Sequence, residues 1–176
     1  MMNNTEEILK PIIVDGIVIA GYYVSNFGNV YSSFVNKAKS GSSFVSRIDD
    51  NIKNPIKMHK THRGYFRVPI HFPNGTFEYE YMSNKSKTTQ RRHCLVHQLV
   101  IDAFKPFDEF LPESLDRMAY DACHESIKVL LRQLFLVNHK DHNKCNNHID
   151  NLERVTPKEN SRHAKIFYNG NVANAK

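Results

Sequence analysis

The chain has 176 residues, 40% of them hydrophobic, enough for one modest domain or two small ones sharing a core. Its three cysteines, Cys94, Cys123 and Cys145, are odd in number and widely spaced, which argues against a disulfide scaffold and for a reducing compartment. The net charge of +6 is uneven: nine Lys/Arg face two Glu between residues 53 and 100, residues 101–134 are acidic, and 135–176 are basic again. Two basic regions around an acidic one suit a polyanion contacted by two parts of the chain. No apolar run approaches the length of a membrane span. The first residues, MMNNTEEILKPIIVDG, carry an acidic pair where a secretory leader would be basic. The expectation is a cytoplasmic protein with no membrane partner.

Taken in chain order, IVIAGYYV (17–24) reads as a strand, and SNFGNV (25–30) as a turn with Asn26 and Gly28 at unusual backbone angles. Residues 31–55, rich in Ser, Asn and Lys, predict a strand followed by a mobile polar loop. Residues 64–82 predict a hairpin turning at Asn74-Gly75, and 83–92 a basic loop. A helix follows over 93–107, broken before Pro106, with Leu95, Val96, Leu99, Val100, Ala103 and Phe104 as its apolar stripe. A second helix is expected over 112–136, with a break near His124–Ser126. Short strands at 134–137 and 151–156 then lead into a helix capped by Thr156, with Pro157 in first position and Glu159 three residues after the cap. The whole reads as α+β: a small antiparallel β region over 13–92, a helical linker and insertion over 93–134, and a ββα unit over 135–168.

The ββα unit holds FLVNHKDHNKCNNHIDNLERVTPKEN (135–160), which is dense in His and Asn. His139, His142, Cys145 and His148 fall three residues apart, so a structural zinc site is one reading. Known zinc sites, however, usually split their ligands between distant elements, and no CxxC pair occurs. The other reading is phosphodiester cleavage. A histidine with a free pKa near 6.5 is largely neutral at working pH and serves as a base, while asparagine carbonyls suit a hard cation such as Mg²⁺.

VNHKDHNKCNNHIDNLERVTPKENSRHA resembles the HNH homing-endonuclease family, whose pattern is Asp/Asn-His at a strand end, an Asn-Asn turn, NLxWVT and xEN. Here these are Asn138-His139, Asn146-Asn147, NLERVT and Glu159-Asn160. Upstream, IAGYYVSNFGNVYS (19–32) is similar to the short GYYxVSNxGxVxS module that accompanies these nucleases, and RGYFRV (63–68) and CLVHQLVIDAFKP (94–106) match the region between the two. The resemblance implies a ββα-metal finger that cuts DNA with one Mg²⁺ or Mn²⁺ per active site. His139 would be the general base. Asn151 would hold the loop and orient His139. Asn138, Asn160 and His163 would be metal ligands. The chain departs from the pattern at three places: Asn138 stands where many members have a charged Asp, His142 where a turn glycine is usual, and Arg154 where Trp is common. The acidic stretch 108–133 reads as an insertion.

The basic residues suit a nucleic-acid surface, and the resemblance implies that the partner is double-stranded DNA. Lys53, Lys57, Lys60, Arg63 and Arg67 precede or occupy the first strand of the central hairpin, Arg91 and Arg92 lie just before the first helix, and Arg154, Lys158 and Arg162 belong to the C-terminal unit. Most of their contacts should be to phosphates. The setting implied is a phage-infected or bacterial host cell. A monomer and a homodimer both remain open, as does a non-catalytic DNA-binding protein that retains the same frame.

Overall fold

The computed structural model describes residues 6–39, 43–73 and 89–173. β1 (Leu9–Val14) and β2 (Ile17–Ser25) form an antiparallel hairpin. β2 pairs with β3 (Val30–Ser32) across the Asn26–Asn29 turn. Between β3 and its outer partner β6 (Asn54–Pro55) the chain forms a second hairpin, β4 (Phe34–Lys39) with β5 (Ser43–Ile48). The segment 31–55, expected as a strand and then a polar loop, thus adds further strands where the loop was expected. Its anchor is Gly21, at φ +76°, where an added Cβ would lie 2.9 Å from the Phe34 ring and 3.1 Å from Ile48. The absent side chain lets the hairpin settle onto β2.

The second sheet runs β7 (His59–Lys60), β8 (Phe66–Pro73), β9 (Thr89–Leu95). The partner of β8 is therefore β9, which takes the end of the expected basic loop and the first residues of the expected helix. The Asn74-Gly75 turn and the strand expected after it lie outside the described residues. One face of β8, carrying Val68, Ile70 and Phe72, is fully buried, and this alternation leaves Arg67 and His71 on the other face.

The first helix, α1 (Val96–Phe104), starts only where β9 ends. Its Val96, Leu99, Val100 and Ala103 form one core with Ile12, Ile19, Val24 and Val30 of the first sheet, the buried face of β8, and Leu152 from the C-terminal unit. All three segments of the chain contribute to this core. Each fully buried aliphatic or aromatic side chain contributes about 1.5–3 kcal/mol.

The insertion holds two short helices, α2 (Arg117–Asp121) and α3 (Glu125–Leu134), separated at Ala122–His124, beside the expected break, and the first starts later than expected. It is closed by Arg132, which bridges Asp108 and Glu125 at 2.7 Å each, and by Tyr120, buried against Phe107.

The C-terminal unit is β10 (Leu136–His139), a 3₁₀ turn (Ile149–Asn151), β11 (Leu152–Val155) and α4 (Pro157–Ala173). The antiparallel register sets Asn138 opposite Glu153 and His139 opposite Leu152. α4 begins with a reciprocal cap: Thr156 N–H donates to Glu159 Oε2 at 2.7 Å, and Glu159 N–H donates to Thr156 Oγ1 at 3.2 Å. Among the described residues, no helix is long and apolar enough to cross a membrane.

Candidate active site and nucleic-acid interface

The loop from Lys140 to His148 has no regular ladder, so its backbone polar groups need side-chain partners. Asn151 supplies them. Its Nδ2 donates to Asp141 Oδ1 at 2.9 Å and to the Asn146 carbonyl at 2.8 Å, and its Oδ1 accepts from Asp141 N–H at 3.1 Å. Asn146 and Asn143 make further turns of the same kind. Asn151 is therefore the clamp of the loop, and no hydrogen bond joins it to His139.

The partner of His139 is Asn147, which is only 4% exposed, like His139 itself. His139 Nε2 lies 3.1 Å from Asn147 Oδ1. With the amide oxygen accepting, the proton sits on Nε2 and Nδ1 keeps its lone pair. Desolvation pushes the His139 pKa below the ordinary histidine value, and the Asn147 hydrogen bond opposes this only in part. The ring is therefore neutral at neutral pH, the state that accepts a proton. Around it pack Tyr65, at 5.9 Å between ring centroids, and His97, edge-on at 5.2 Å. Burial, with the neighbouring His139, brings the His97 pKa down to about 4.

The N-terminal turn braces this pocket from outside. Gly28, at φ +84°, sits so close to Asn147 that an added Cβ would lie 2.5 Å from the Asn147 Cβ. Beside it the Asn26 carbonyl accepts from Ile149 N–H at 2.8 Å, and Phe27 packs on the His148 ring. From below, Lys105 at the end of α1 donates to the Ile149 and Leu152 carbonyls.

Strand alternation turns Asn138 to the opposite face of β10, beneath α4. There Asn138 Nδ2 donates to Glu153 Oε1 at 2.8 Å and lies 3.1 Å from His163 Nδ1. Asn160 lies one turn before His163 on α4 and is half-buried; among the described contacts its side chain makes no hydrogen bond. The structure thus brings Asn138 and His163 together and adds Glu153, but no described contact links them to His139. Glu153 had a sequence signal that went unread, because counting the antiparallel register back from the end of β11 places it opposite Asn138. Asn147 and His97 had none beyond the motif itself.

The four residues of the zinc reading do not converge. His139 faces Asn147, His142 stacks on Phe167 at 4.1 Å, Cys145 Sγ meets the Gly64 carbonyl, and His148 packs on Phe27. Among the described residues no three His, Cys, Asp or Glu side chains gather at one point. His142 adopts φ +60°, so it takes up the left-handed conformation usually given to glycine at this turn.

The basic residues divide into two groups. Arg154 is removed from the DNA-contact set: its side chain is 8% exposed, pairs with Asp102 at 2.8 Å, reaches the Lys105 carbonyl and lies over Phe107. Lys53 lies over the Tyr23 ring at 4.0 Å and donates to Ser33 Oγ. Arg92 points to the opposite face of β9 from Arg91 and pairs with Asp15 at 3.6 Å. Lys57, Lys60, Arg63, Arg67, Arg91, Lys158 and Arg162 are exposed. Arg67 and Arg91 share the open face of the second sheet with His59, His71 and His93, as the register requires. Desolvation and the charges of Arg67, Arg91 and His59 lower the His93 pKa, which marks the face as electropositive.

No protein-family model matches the chain. Over 28 residues it is 71% identical to YosQ, a SPbeta prophage-derived protein of Bacillus subtilis (strain 168) named as an HNH homing endonuclease; the match covers 16% of this chain and 16% of YosQ. Among solved structures it is similar to the HNH homing endonuclease I-HmuI, in a structure described as showing DNA binding and cleavage. That likeness has 26% identity and a TM-score of 0.47, and covers 88% of this chain and 56% of that one. The chain thus spans just over half the length of that solved relative, and the YosQ match is local.

Proposed function

We propose that the chain is a metal-dependent DNA endonuclease of the HNH type, acting in a phage or bacterial host cell. The observation that carries this reading is His139, a buried imidazole with a lowered pKa, fixed through Nε2 by Asn147 at the strand end of a ββα unit. The local identity with YosQ supports it.

In this reading His139 Nδ1 accepts the proton that water loses as its oxygen attacks phosphorus in line. The bond from phosphorus to the 3′ oxygen breaks, leaving 5′-phosphate and 3′-hydroxyl ends. The amide, imidazole and carboxylate groups gathered under α4 are donors suited to one divalent ion, so the residues present fit the cation that the resemblance implies. Held by Asn138, Asn160 and His163, Mg²⁺ or Mn²⁺ would stabilise charge on the phosphate and the leaving oxygen. Asn151 and Asn147 keep the loop and the base in place. Lys57, Lys60, Arg63, Arg67 and Arg91 offer phosphate contacts from the second sheet, with Lys158 and Arg162 on α4.

The test is incubation of supercoiled plasmid and genomic DNA with Mg²⁺, Mn²⁺ or EDTA, followed by mapping of the ends. Metal-dependent breaks with 5′-phosphates are expected. A second reading, DNA binding without cleavage, is favoured by the uncharged Asn138. It predicts salt-sensitive binding and intact DNA under every metal.

A further inference from the structure

Asn138, Asn160 and His163 bring no negative charge, whereas protein sites for hard divalent ions usually include one or two carboxylates. We infer that Glu153 is the charged ligand of this site, completing with Asn138 and His163 a three-donor set that favours Mn²⁺ over Mg²⁺. The inference rests on the metal-dependent reading above.

Three atoms define the place. Asn138 Nδ2 lies 2.8 Å from Glu153 Oε1 and 3.1 Å from His163 Nδ1, and the carboxylate and imidazole atoms are 3.8 Å apart. Adjacent corners of an octahedron with bonds of about 2.1 Å are about 3 Å apart, so the two separations from Asn138 are those of neighbouring ligands, and the carboxylate and imidazole would close by less than about 1 Å to complete the set. The fold holds them there: the β10–β11 register sets Asn138 opposite Glu153, and α4 lays His163 over the pair. Asn138 Nδ2 donates to the Glu153 carboxylate and lies within hydrogen-bond distance of His163 Nδ1. A half-turn of the amide exchanges Nδ2 for Oδ1 and converts this donor into an oxygen ligand. The imidazole nitrogen favours a transition metal over Mg²⁺. Glu153 also explains how Asn is accommodated at position 138, since the charge that Asp would bring is supplied from the facing strand.

The probe is Mn²⁺ alone, titrated into the full chain without DNA and followed by its electron paramagnetic resonance signal. Wild type should bind one ion per chain. Glu153→Gln, which keeps a hydrogen-bond acceptor for Asn138, should weaken binding by ~10–100-fold or more, the range seen when even indirect partners of a metal are lost. His163→Gln should also weaken it, and Asn138→Asp should tighten it, which gives the site a second and third arm if E153Q folds poorly. Glu113→Gln, on the exposed insertion, should leave the affinity unchanged. Wild-type affinity in a folded E153Q protein, or no Mn²⁺ bound by wild type at millimolar concentration, overturns the site. Cleavage assays separate this from the nuclease reading. If Mn²⁺ binds through Glu153 and no DNA is cut, the site stands and the nuclease fails. If wild type and E153Q cut with the same metal requirement, the nuclease stands and the site fails.

Discussion

The two faces of β10 place their side chains in opposite surroundings. On one face His139 is sealed among Tyr65, His97, Asn147 and Leu152, and desolvation favours the neutral ring over the opposing pull of Asn147 and Asp141. On the other, Asn138 meets a carboxylate and an imidazole under a half-open helix. One residue of strand separates the proposed base, which is buried, from the proposed ligands, which are partly exposed. The comparison teaches that alternation, the simplest property of a strand, can place a proton acceptor and a cation site on independent supports. Damage to one face should therefore spare the other.

The largest break expected is at Gly28. An alanine there meets the Asn147 Cβ and is forced into a left-handed conformation, so Gly28→Ala should cost roughly 4 kcal/mol, with overpacking and backbone strain adding. Denaturant unfolding measures the loss, and Mn²⁺ affinity of the folded fraction should stay near wild type.

Acid should act on the same face. His97 has a folded-state pKa of about 4 against 6.5 when exposed. The unfolded chain therefore takes up the proton first, and the stability this group contributes is present above pH 6.5 and lost as pH falls toward 4. The loss is about 3 kcal/mol. Among the described residues, His97 Nδ1 is the buried side-chain atom left without a hydrogen bond, and the rings facing it are Tyr65 and His139. His97→Phe should flatten the stability profile in this window, where His139 and His93, whose pKa values are also lowered, still act with the same sign. A profile that H97F does not alter would remove His97 from the account.

Asn147→Ala tests the orientation of the base alone. A hydrogen bond of this kind is worth about 0.5–1.5 kcal/mol, so cleavage should slow by up to ~10-fold while metal affinity holds. The smallest effect belongs to His142→Gly. Relief of the left-handed backbone offsets the lost stacking on Phe167, and the melting temperature should rise by an amount corresponding to about 1 kcal/mol or less.

The parts of the fold with local causes were legible in the sequence. Thr156, Pro157 and Glu159 announced α4 because a capping box is written in four consecutive residues. The short strands beside the Asn/His loop and the apolar stripe of α1 were legible for the same reason. β9 was not, because TQRRHCL offers few apolar residues to alternate and takes its strand from pairing with β8. Arg154 was misread as a phosphate contact because its partner, Asp102, lies 52 residues away in sequence. In the candidate site, His139, Asn138 and His163 stood out as chemistry. Asn147 and Glu153 did not, because their roles come from tertiary packing and cross-strand register.

The central claim is that base and ligands stand on separate faces of one strand, and His139→Ala measures it most directly. Cleavage and Mn²⁺ affinity should be determined on the same preparation. The account predicts a cleavage rate lower by ~10²–10⁴-fold, the worth of a positioned proton acceptor, with Mn²⁺ affinity within about 2-fold of wild type, since His139 is not a ligand on the far face. An H139A protein that still cuts DNA, or one that loses its metal together with its activity, would contradict it.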